Sequence, residues 1–458
     1  MKIKKKLYKK FLLSNRSNFI SYAISKIHLT YHEFSKNENF NPFSSLIKKF
    51  FYLFDDDNLY QKKNTTTDVA IISNVVSVKK INHDIYFGNL AKLLKKDKIK
   101  TISVYRNHTS NRSKLIKQLL KGNVILLSKR LNIIKEILIL LFFLKELCLY
   151  IFSKKYSFIK RFLNIKDLLS IISNLRLYYQ LDKVLKFYRP KVVIFTYEGH
   201  AWERLLVFLC KNYELKIQSI AYQFSVIKKN QIGFFNKLKQ EYNPDYIATT
   251  GEIPHNIIKK KINFSKLLKL GSSKFEKQKK LYNKKIDLLV SLDSNKNTLF
   301  EVLEFCINFS LINPKYKIIL RPHPILINDL HLLNTILKMI EKTQNIKLSR
   351  NSLNNDLKKS RYLLYTESVI CITGLNFSVT PLFYKYKNIK NMLDGNFPKK
   401  NIIKNYSDLH IQLKDKKDKK ISNYFKNYRD NYFEKYQIKN LKKIIKNSRN
   451  EKIYSSNL

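Results

Sequence analysis

An acidic motif, Tyr197-Glu198-Gly199-His200, directly follows a short apolar segment of the sequence. Residues 192–195 are typical of a buried strand, and residues 201–213 have the spacing of a helix. Glu198 therefore lies where a strand ends, at the edge where open α/β sheets bind ligands. A carboxylate in such a crevice can act as a general base when burial raises its pKa. Glu198 is the candidate catalytic base.

Three neighbours of Glu198 are candidate accessory residues, namely Gly199, His200 and Glu203. Gly199 would allow a substrate to approach closely. Glu203 falls in the first turn of the predicted helix, where an acidic side chain favours the helix dipole, and that structural role is its simpler explanation. Trp202 is the only tryptophan, and core packing is its simplest explanation.

A second motif, Arg321-Pro322-His323-Pro324, follows the predicted strand 316–320. Arg321 is a permanent cation whose donors suit phosphate oxygens. His323 can donate a hydrogen bond to a phosphate or a ribose, and the prolines fix the backbone on both sides of it. The motif predicts an anion-binding loop; an ordinary loop with a capping histidine is the alternative.

A third group of small polar residues surrounds the segment 369–373, which we predict to be a strand. The residues after it could begin a helix whose backbone N–H groups hold a phosphate. Ordinary helix capping by Asn376 or Ser378 is the alternative. The candidates for phosphate binding are Thr373, Gly374, Asn376 and Ser378, with Glu367 as an accessory acid.

Composition excludes several classes of function. The chain has 458 residues, enough for two or three domains. Its eight glycines are too far apart for the glycine-rich loops that bind dinucleotides or nucleoside triphosphates. The four cysteines form no CxxC metal or redox pair and no disulfide framework.

The charge of the chain is strongly positive. Its 88 basic and 34 acidic side chains give a formal charge of +54. The lysines are spread over the whole chain without a nucleic-acid-binding motif, so we expect no specific nucleic-acid partner, and A/T-rich codons explain the excess most simply. Such a surface is still attracted to anionic lipid headgroups.

Short apolar strands alternate with helical segments, which predicts parallel sheets with helical crossovers. The predicted strands are 69–72, 102–105, 124–127, 192–195, 217–222, 246–248, 286–291, 316–320, 346–348 and 369–373. We predict a basic helical extension at 1–65 and an N-terminal Rossmann-like domain at 66–255 with a helical insertion at 130–187. A C-terminal Rossmann-like domain at 256–415 and a basic helical tail at 416–458 follow.

These motifs together resemble a GT-B glycosyltransferase. More narrowly, the sequence is similar to bacterial surface-carbohydrate enzymes of the capsule Kdo-transferase and sialyltransferase type, and to CDP-glycerol glycerophosphotransferases. The likeness spans about residues 66–400 and depends on three short motifs: Glu198-Gly199, Gly271-Ser272-Ser273 and His323-Pro324.

The resemblance implies two Rossmann-like domains that face a cleft, a metal-independent mechanism, and no cofactor besides the nucleotide-sugar donor. It implies that Glu198 is the catalytic base and that His323 grips the CMP moiety and assists its departure. Arg321, Ser272 and the turn 373–378 would bind the donor. Relatives continue that turn with an acidic residue and a glycine, whereas residues 378–386 contain neither. Either Glu367 substitutes, the donor is held differently, or activity has been lost.

The sequence thus predicts transfer of a sugar, with a CMP-activated acidic sugar as the first candidate, to a polysaccharide or lipid-linked lipopolysaccharide precursor. One alternative is a CDP-glycerol-type glycerophosphotransferase, for which His200 is the nearby candidate for a second catalytic histidine. The other alternative is a non-catalytic basic binding protein on the same fold.

We predict a cytoplasmic protein, peripheral on the inner face of the membrane. The start of the chain lacks the features of a secretory signal, and the longest uncharged run of the apolar segment 133–152 has only eight residues. The basic residues 2–10 and this apolar helix are the predicted contacts with an anionic membrane surface. Burial of the helix in the first domain is the alternative.

Overall fold

The computed structural model describes residues 67–75, 84–107, 124–127, 131–152, 165–214, 216–227, 232–275, 283–323, 326, 329–386, 389, 391–393, 397–415 and 419–455. The predicted helical extension at 1–65 lies outside these residues. The chain divides into two compact units. Unit 1 comprises Met1–Lys274 and Phe433–Leu458, and unit 2 comprises Phe275–Tyr432.

Unit 1 is built on a parallel sheet. Its elements up to the division are β1 (Val69–Val75), α1 (Leu90–Lys96), β2 (Thr101–Asn107), β3 (Val124–Leu126), α2 (Ile133–Phe152), α3 (Ile165–Tyr188), β4 (Val192–Thr196), α4 (Ala201–Lys211), β5 (Gln218–Tyr222), α5 (Ile232–Phe235), β6 (Tyr246–Thr249), α6 (Glu252–Lys259) and β7 (Lys266–Lys269). The strand order is β3-β2-β1-β4-β5-β6-β7, and every neighbouring pair is parallel. The order reverses between β1 and β4, which places a topological switch point there.

The central strands of unit 1 are apolar because both faces of the sheet are covered. All five residues of β4 are buried, as expected for a strand between two layers of helices. One face packs against α3 and α4 through residues such as Leu181 and Leu206. The other face packs against α1 through Leu90 and Leu94.

Unit 2 repeats this architecture with six strands. Its elements are β8 (Ile286–Ser291), α7 (Lys296–Ile312), β9 (Ile318–Arg321), α8 (Leu330–Ile340), β10 (Ile346–Leu348), α9 (Leu353–Lys359), β11 (Ser360–Tyr365), α10 (Ile370–Leu375), β12 (Thr380–Tyr384), β13 (Ile402–Ile403), α11 (Tyr406–Lys414) and α12 (Lys419–Tyr432). The order is β10-β9-β8-β11-β12-β13, again parallel throughout. Its switch point lies between β8 and β11. The prediction of two Rossmann-like α/β units is confirmed.

The C-terminal tail is divided between the two units. Helix α12 belongs to unit 2, whereas the final helix, α13 (Ile438–Ser455), belongs to unit 1. Leu441 and Ile445 of α13 join the same core cluster as Leu90 of α1. The backbone N–H of Glu434 also donates to the carbonyl oxygen of Thr250 at 2.8 Å. The last helix of the chain therefore covers the same face of the unit 1 sheet as α1.

The division between the units falls later than the boundary that we predict at 255/256. The reason is β7, which extends the first sheet by pairing in parallel with β6, Leu267 opposite Ile247. Gly271 and Ser272 follow this edge strand, so they end unit 1 and do not begin unit 2.

One strand prediction is wrong. Residues 369–373 are not a strand, because Ile370–Leu375 form helix α10. The strand between β8 and β12 is instead β11, Ser360–Tyr365, whose Leu363 and Leu364 are fully buried. A short apolar run has no periodicity that separates a buried strand from a buried helix, so the pattern alone misassigned it.

Helix α2 exposes an apolar face. Its exposed large side chains are Ile133, Ile134, Ile137, Leu138, Leu141 and Leu144. Its opposite side is attached to unit 1, because the carboxylate of Glu136 is buried and lies 2.6 Å from the guanidinium of Arg176 on α3. Among the described residues, no helix combines the length and apolar character needed to cross a bilayer.

Candidate functional site

The turn between β4 and α4 presents Glu198 at the switch-point edge of unit 1. Its backbone is held by Glu203, whose Oε2 accepts hydrogen bonds from three consecutive N–H groups. The donors are Glu198 at 2.9 Å, Gly199 at 2.7 Å and His200 at 2.8 Å. Because His200 is the N-cap of α4 and Glu203 the third residue of the helix, this contact also caps the helix. Glu203 therefore fixes the position of Glu198.

Glu203 is buried, with 1% of its surface exposed. Burial raises its pKa to about 7, against the opposing effects of His200 and of the backbone donors. The structural role that the sequence suggests for this acid is the one that the contacts show, since its carboxylate reaches the turn and not an open crevice.

Glu198 and His200 form a pair of accessible side chains above that turn. His200 Nε2 lies 3.2 Å from Glu198 Oε2, with 34% and 25% of the side chains exposed. Burial acts to lower the pKa of His200, but the hydrogen bond with Glu198 and the charge of Glu203 raise it above its ordinary 6.5. The geometry thus couples the carboxylate to an imidazole that can be protonated near neutral pH.

Gly199 is required by the backbone, not by an approaching substrate. Its φ is +85°, and a Cβ there would lie 2.1 Å from the carbonyl carbon of Gly233. The guanidinium of Arg204, fully buried, holds that segment by donating to the carbonyl oxygen of Gly233 at 3.0 Å. The space beside Gly199 is therefore filled by the chain itself.

Three further residues of unit 1 lie within electrostatic reach of Glu198 or His200, namely Tyr86, Arg106 and Lys274, and Asp84 lies beside Tyr86. Asp84 follows β1, and its Oδ1 accepts from the N–H groups of Tyr86 at 2.8 Å and Phe87 at 2.9 Å. Burial raises the pKa of Asp84. Burial also raises the pKa of Tyr86, and the charge of Glu198 adds to the effect.

Lys274, five residues after the end of β7, lies near Glu198. Its Nζ donates to the carbonyl oxygen of Phe224 at 3.3 Å and lies 5.4 Å from the ring centre of Phe433. Burial lowers its pKa, and the charge of Glu198 opposes that effect. Neither Lys274 nor Arg106 is a predicted site residue. Arg106 directly follows the predicted strand 102–105, which is the kind of position that made Glu198 a candidate.

Ser272, a predicted donor-binding residue, lies buried in unit 1. Its N–H donates to the carbonyl oxygen of Glu434 at 2.8 Å, and its Oγ accepts from the N–H of Lys274 at 3.1 Å. These contacts make Ser272 part of the turn that positions Lys274.

In unit 2, the switch point is occupied by Asp293 and Thr366. Asp293 follows β8, Thr366 follows β11, and Thr366 Oγ1 donates to Asp293 Oδ2 at 3.2 Å. The next residue, Glu367, is half-buried in the turn that leads to α10. Because α10 begins at Ile370, the residues that lead into it are 366–369.

Arg321 is engaged inside unit 2. Its Nη1 donates to Asp356 Oδ2 at 2.6 Å and to the carbonyl oxygen of Asn351 at 3.0 Å. Asp356 is fully buried, and its Oδ2 also accepts from the Ser349 hydroxyl at 2.5 Å. Arg321 therefore neutralises a buried acid and ties the end of β9 to α9.

His323 is half-buried two residues after β9, and its carbonyl oxygen accepts from the N–H of Leu326 at 2.9 Å. Pro324 lies outside the described residues. His323 and Thr366 thus follow strands that flank β8 on either side.

The other predicted phosphate ligands lie at the end of α10, not at the start of a helix. Gly374 is packed against Leu363 and Val379, and Asn376 is the C-cap. Ser378 has a positive φ of 55° in the turn that enters β12. The half-buried Thr373 is in the last turn of this helix. A helix C-terminus presents carbonyl oxygens, which do not favour a phosphate.

No protein-family model matches the sequence, and no curated protein matches it. Several solved structures are similar in fold. A UDP-GlcNAc 2-epimerase from Neisseria meningitidis bound to UDP-GlcNAc is 12% identical over 84% of this chain and 100% of that chain, with a TM-score of 0.47. A glycosyltransferase from Rickettsia africae ESF-5 is 11% identical over 86% of this chain and 98% of that chain, with a TM-score of 0.44.

The N-terminal domain of trehalose-6-phosphate phosphatase from Candida albicans is also similar. It is 10% identical over 82% of this chain and 95% of that chain, with a TM-score of 0.48. These likenesses concern the fold. The narrower resemblance to Kdo-transferases and sialyltransferases, and the cleft between the two units, stay predictions.

Proposed function

We propose that this chain is a nucleotide-sugar-dependent glycosyltransferase in which Glu198 is the catalytic base. One observation carries the proposal. The partly exposed carboxylate of Glu198 lies at the switch-point edge of unit 1, and its backbone is fixed by hydrogen bonds to the buried carboxylate of Glu203. Ligands bind outside the carboxyl ends of strands at such points. A base needs this combination of accessibility and fixed position.

In the proposed reaction, Glu198 removes the proton from an acceptor hydroxyl. The hydroxyl oxygen then forms a bond with the anomeric carbon of the donor sugar while the bond from that carbon to the nucleotide phosphate breaks. The proton ends on Glu198, and the electron pair leaves with the nucleotide. His200, whose Nε2 lies 3.2 Å from Glu198 Oε2, would help to orient the carboxylate toward the acceptor hydroxyl.

Unit 2 is the proposed donor-binding unit. His323 lies at the end of β9, beside the switch point that Asp293 and Thr366 mark, and it would donate to the leaving phosphate. Arg321 would act through the buried Asp356 by holding the end of β9 in place. A CMP-linked acidic sugar is the first candidate donor. In this proposal the donor phosphate is bound by protein groups and not by a metal ion.

Titration of the full chain with CMP, CDP and UDP by calorimetry tests this assignment. We expect saturable binding of at least one nucleotide, with CMP the tightest, and weaker binding of that nucleotide by His323→Ala. Absence of binding by all three, together with tight and salt-sensitive binding of RNA, would instead support a non-catalytic basic protein.

A second candidate function is transfer of an alcohol phosphate from CDP-glycerol. The contact of 3.2 Å between His200 Nε2 and Glu198 Oε2 favours it, because a carboxylate-oriented imidazole is itself a general base. Release of CMP from CDP-glycerol, but not from a CMP-linked sugar, would select this alternative.

The proposed acceptor is a polysaccharide or lipopolysaccharide precursor reached at an anionic membrane surface. The exposed apolar face of α2 supports this, since its six large apolar side chains point away from the side that Glu136 attaches to α3. The net charge of +54 supplies attraction to anionic lipids. A helix with one apolar face and one attached face suits binding in the plane of the interface.

A further inference from the structure

Arg106 at the end of β2 is an arginine without an ion pair at the candidate site. Its guanidinium carbon lies 4.4 Å from the ring centre of Trp202. Trp202 is 6% exposed and belongs to the core, as its sequence context predicts. No carboxylate of the described residues lies within 4.0 Å of the Arg106 guanidinium.

The other arginines that the described part of the chain buries or half-buries are matched by acceptors. Arg176 pairs with Glu136 at 2.6 Å, and Arg321 pairs with Asp356 at 2.6 Å. Arg204 donates to backbone and amide oxygens of the segment 233–243. Arg106 is half-buried, and partial burial of a guanidinium without a carboxylate partner costs free energy that a bound anion would offset.

The surroundings of Arg106 carry charges of both signs. His200 and Lys274 lie in the same cluster. Its acids are Glu198, Glu203 and Asp84, and each already has hydrogen-bonding partners: Glu203 accepts three N–H groups, Asp84 accepts two, and Glu198 pairs with His200. Burial lowers the pKa of Arg106 to about 10, while the charge of Glu203 opposes that effect. Arg106 thus remains a cation at neutral pH.

We propose that Arg106, supported by Lys274 and His200, binds a carboxylate or phosphate group of the substrate beside Glu198. A guanidinium stacked on an aromatic ring is fixed in its plane, and its donors at the edge suit two oxygens of one anionic group. The inference rests on the proposed function, since it names the chemical class of the substrate at the same site. It does not depend on which nucleotide unit 2 binds.

Trp202 makes the site directly measurable, because it is the only tryptophan of the chain and lies under Arg106. The experiment titrates the full chain with inorganic phosphate and with glucuronate while selectively exciting tryptophan. Glucose is the neutral control, and sodium chloride keeps the ionic strength constant. We expect a saturable change in Trp202 emission with both anions and none with glucose.

Variants assign that change to Arg106. Arg106→Gln should weaken the apparent affinity by about tenfold or more, the loss of a charged hydrogen bond, and Arg106→Lys should weaken it less. Arg189→Gln is the matched control, because Arg189 is exposed just before β4, at the opposite edge of the sheet, and it should titrate as the wild type does. If Arg106→Gln does not fold by circular dichroism, Lys274→Gln takes its place and should also weaken the affinity.

A wild-type chain whose emission shows no saturable response to either anion would overturn the proposal. An Arg106→Gln variant that is folded and titrates like the wild type would also overturn it. Two further titrations separate the sources of the anionic group. If Arg106→Gln loses affinity for a CMP-linked sialic acid but not for CMP, the anionic group belongs to the donor. If it loses affinity for glycerol 3-phosphate but not for the CMP-linked sialic acid, the group belongs to the acceptor.

Failure of the anion site at Arg106 and failure of the proposed glycosyltransferase function can be told apart. The phosphate and glucuronate titrations involve no nucleotide, so the site at Arg106 can be present in a chain that binds none of CMP, CDP and UDP. Conversely, nucleotide binding with an unresponsive Trp202 would leave the donor assignment intact and remove the site at Arg106.

Discussion

Glu203 Oε2 accepts a hydrogen bond from the backbone N–H of Glu198 at 2.9 Å, so a buried acid holds an accessible acid at the end of a strand. The two carboxylates have different surroundings and hence different roles: one stabilises the turn, and the other can accept a proton from a substrate. Glu203 satisfies three N–H donors, whereas Glu198 faces His200 and solvent. This division of roles is the basis of the first two predictions.

Removing the carboxylate of Glu203 should destabilise unit 1. We expect Glu203→Ala to lower the free energy of unfolding by about 2–3 kcal/mol, because it leaves three N–H groups of the turn without their acceptor. Glu203→Gln keeps an oxygen that can accept, so its loss should be smaller. Urea denaturation followed by circular dichroism measures both. Equal losses for the two variants would mean that the contact with the turn does not stabilise the fold.

The imidazole of His200 should titrate above pH 6.5. The charged form is favoured by its hydrogen bond with Glu198 and by the charge of Glu203, which outweigh burial. A raised pKa in the folded chain means that His200 contributes stability below pH 6.5, and that this contribution disappears as pH rises through the folded pKa. Titration by NMR of histidine-labelled protein, with assignment by His200→Gln, measures the value.

The matched variant for that titration is Glu198→Gln. It should lower the pKa of His200, because an uncharged amide replaces the carboxylate. The fall in unfolding free energy across the same pH range should become shallower. A pKa of His200 that does not move in Glu198→Gln would show that the pair at 3.2 Å is not formed in solution.

Arg321 and His323 should differ sharply although they are two residues apart. Arg321→Ala leaves the fully buried Asp356 without its cation, so the free energy of unfolding should fall by about 3–5 kcal/mol. His323→Ala should change stability much less but weaken nucleotide binding by about 1–3 kcal/mol. Calorimetric titration with CMP and urea denaturation separate the two effects. Unchanged CMP affinity in His323→Ala would remove this histidine from the donor site.

The exposed face of α2 should determine membrane binding at high salt. Leu141→Glu places a charge on a side chain that is 57% exposed, so folding should be unaffected. We expect flotation with anionic liposomes that survives high salt in the wild type and is lost in Leu141→Glu, because salt screens charges but not apolar contacts. Leu311→Glu, on a side chain 60% exposed in unit 2, is the control and should float like the wild type.

Two other results would count against that role of α2. Release of the wild type by high salt would assign the contact to lysines alone. Failure to float even at low salt would exclude peripheral binding to anionic membranes.

Much of the fold follows from local pattern. Strands such as β4 and β8 are short apolar runs bounded by polar residues, which is the pattern typical of a strand covered on both faces. Segment 369–373 shows where that reasoning fails, since tertiary packing made it a helix. β7 is another case, because its Lys266 and Lys269 disguise an edge strand.

The site was predictable only where a single strand carries it. Glu198 follows directly from the strand that precedes it, and its contact with His200 is local in sequence. The approach of Arg106 to Trp202 depends on the positions of β2 and of β4, the strand before α4, on either side of β1, which no spacing reveals. The pairing of Arg321 with Asp356 is equally non-local, so a residue typical of phosphate binding proved to hold the fold together.

The central claim, that Glu198 is the catalytic base, is tested most directly by the turnover of Glu198→Gln. The measurement is release of nucleotide from a CMP-linked sialic acid in the presence of a lipopolysaccharide precursor, at saturating donor. We predict intact folding and donor binding with turnover reduced about 10²–10⁴-fold, the usual contribution of general acid–base catalysis. Near wild-type turnover by a folded Glu198→Gln variant that binds the donor would contradict the account.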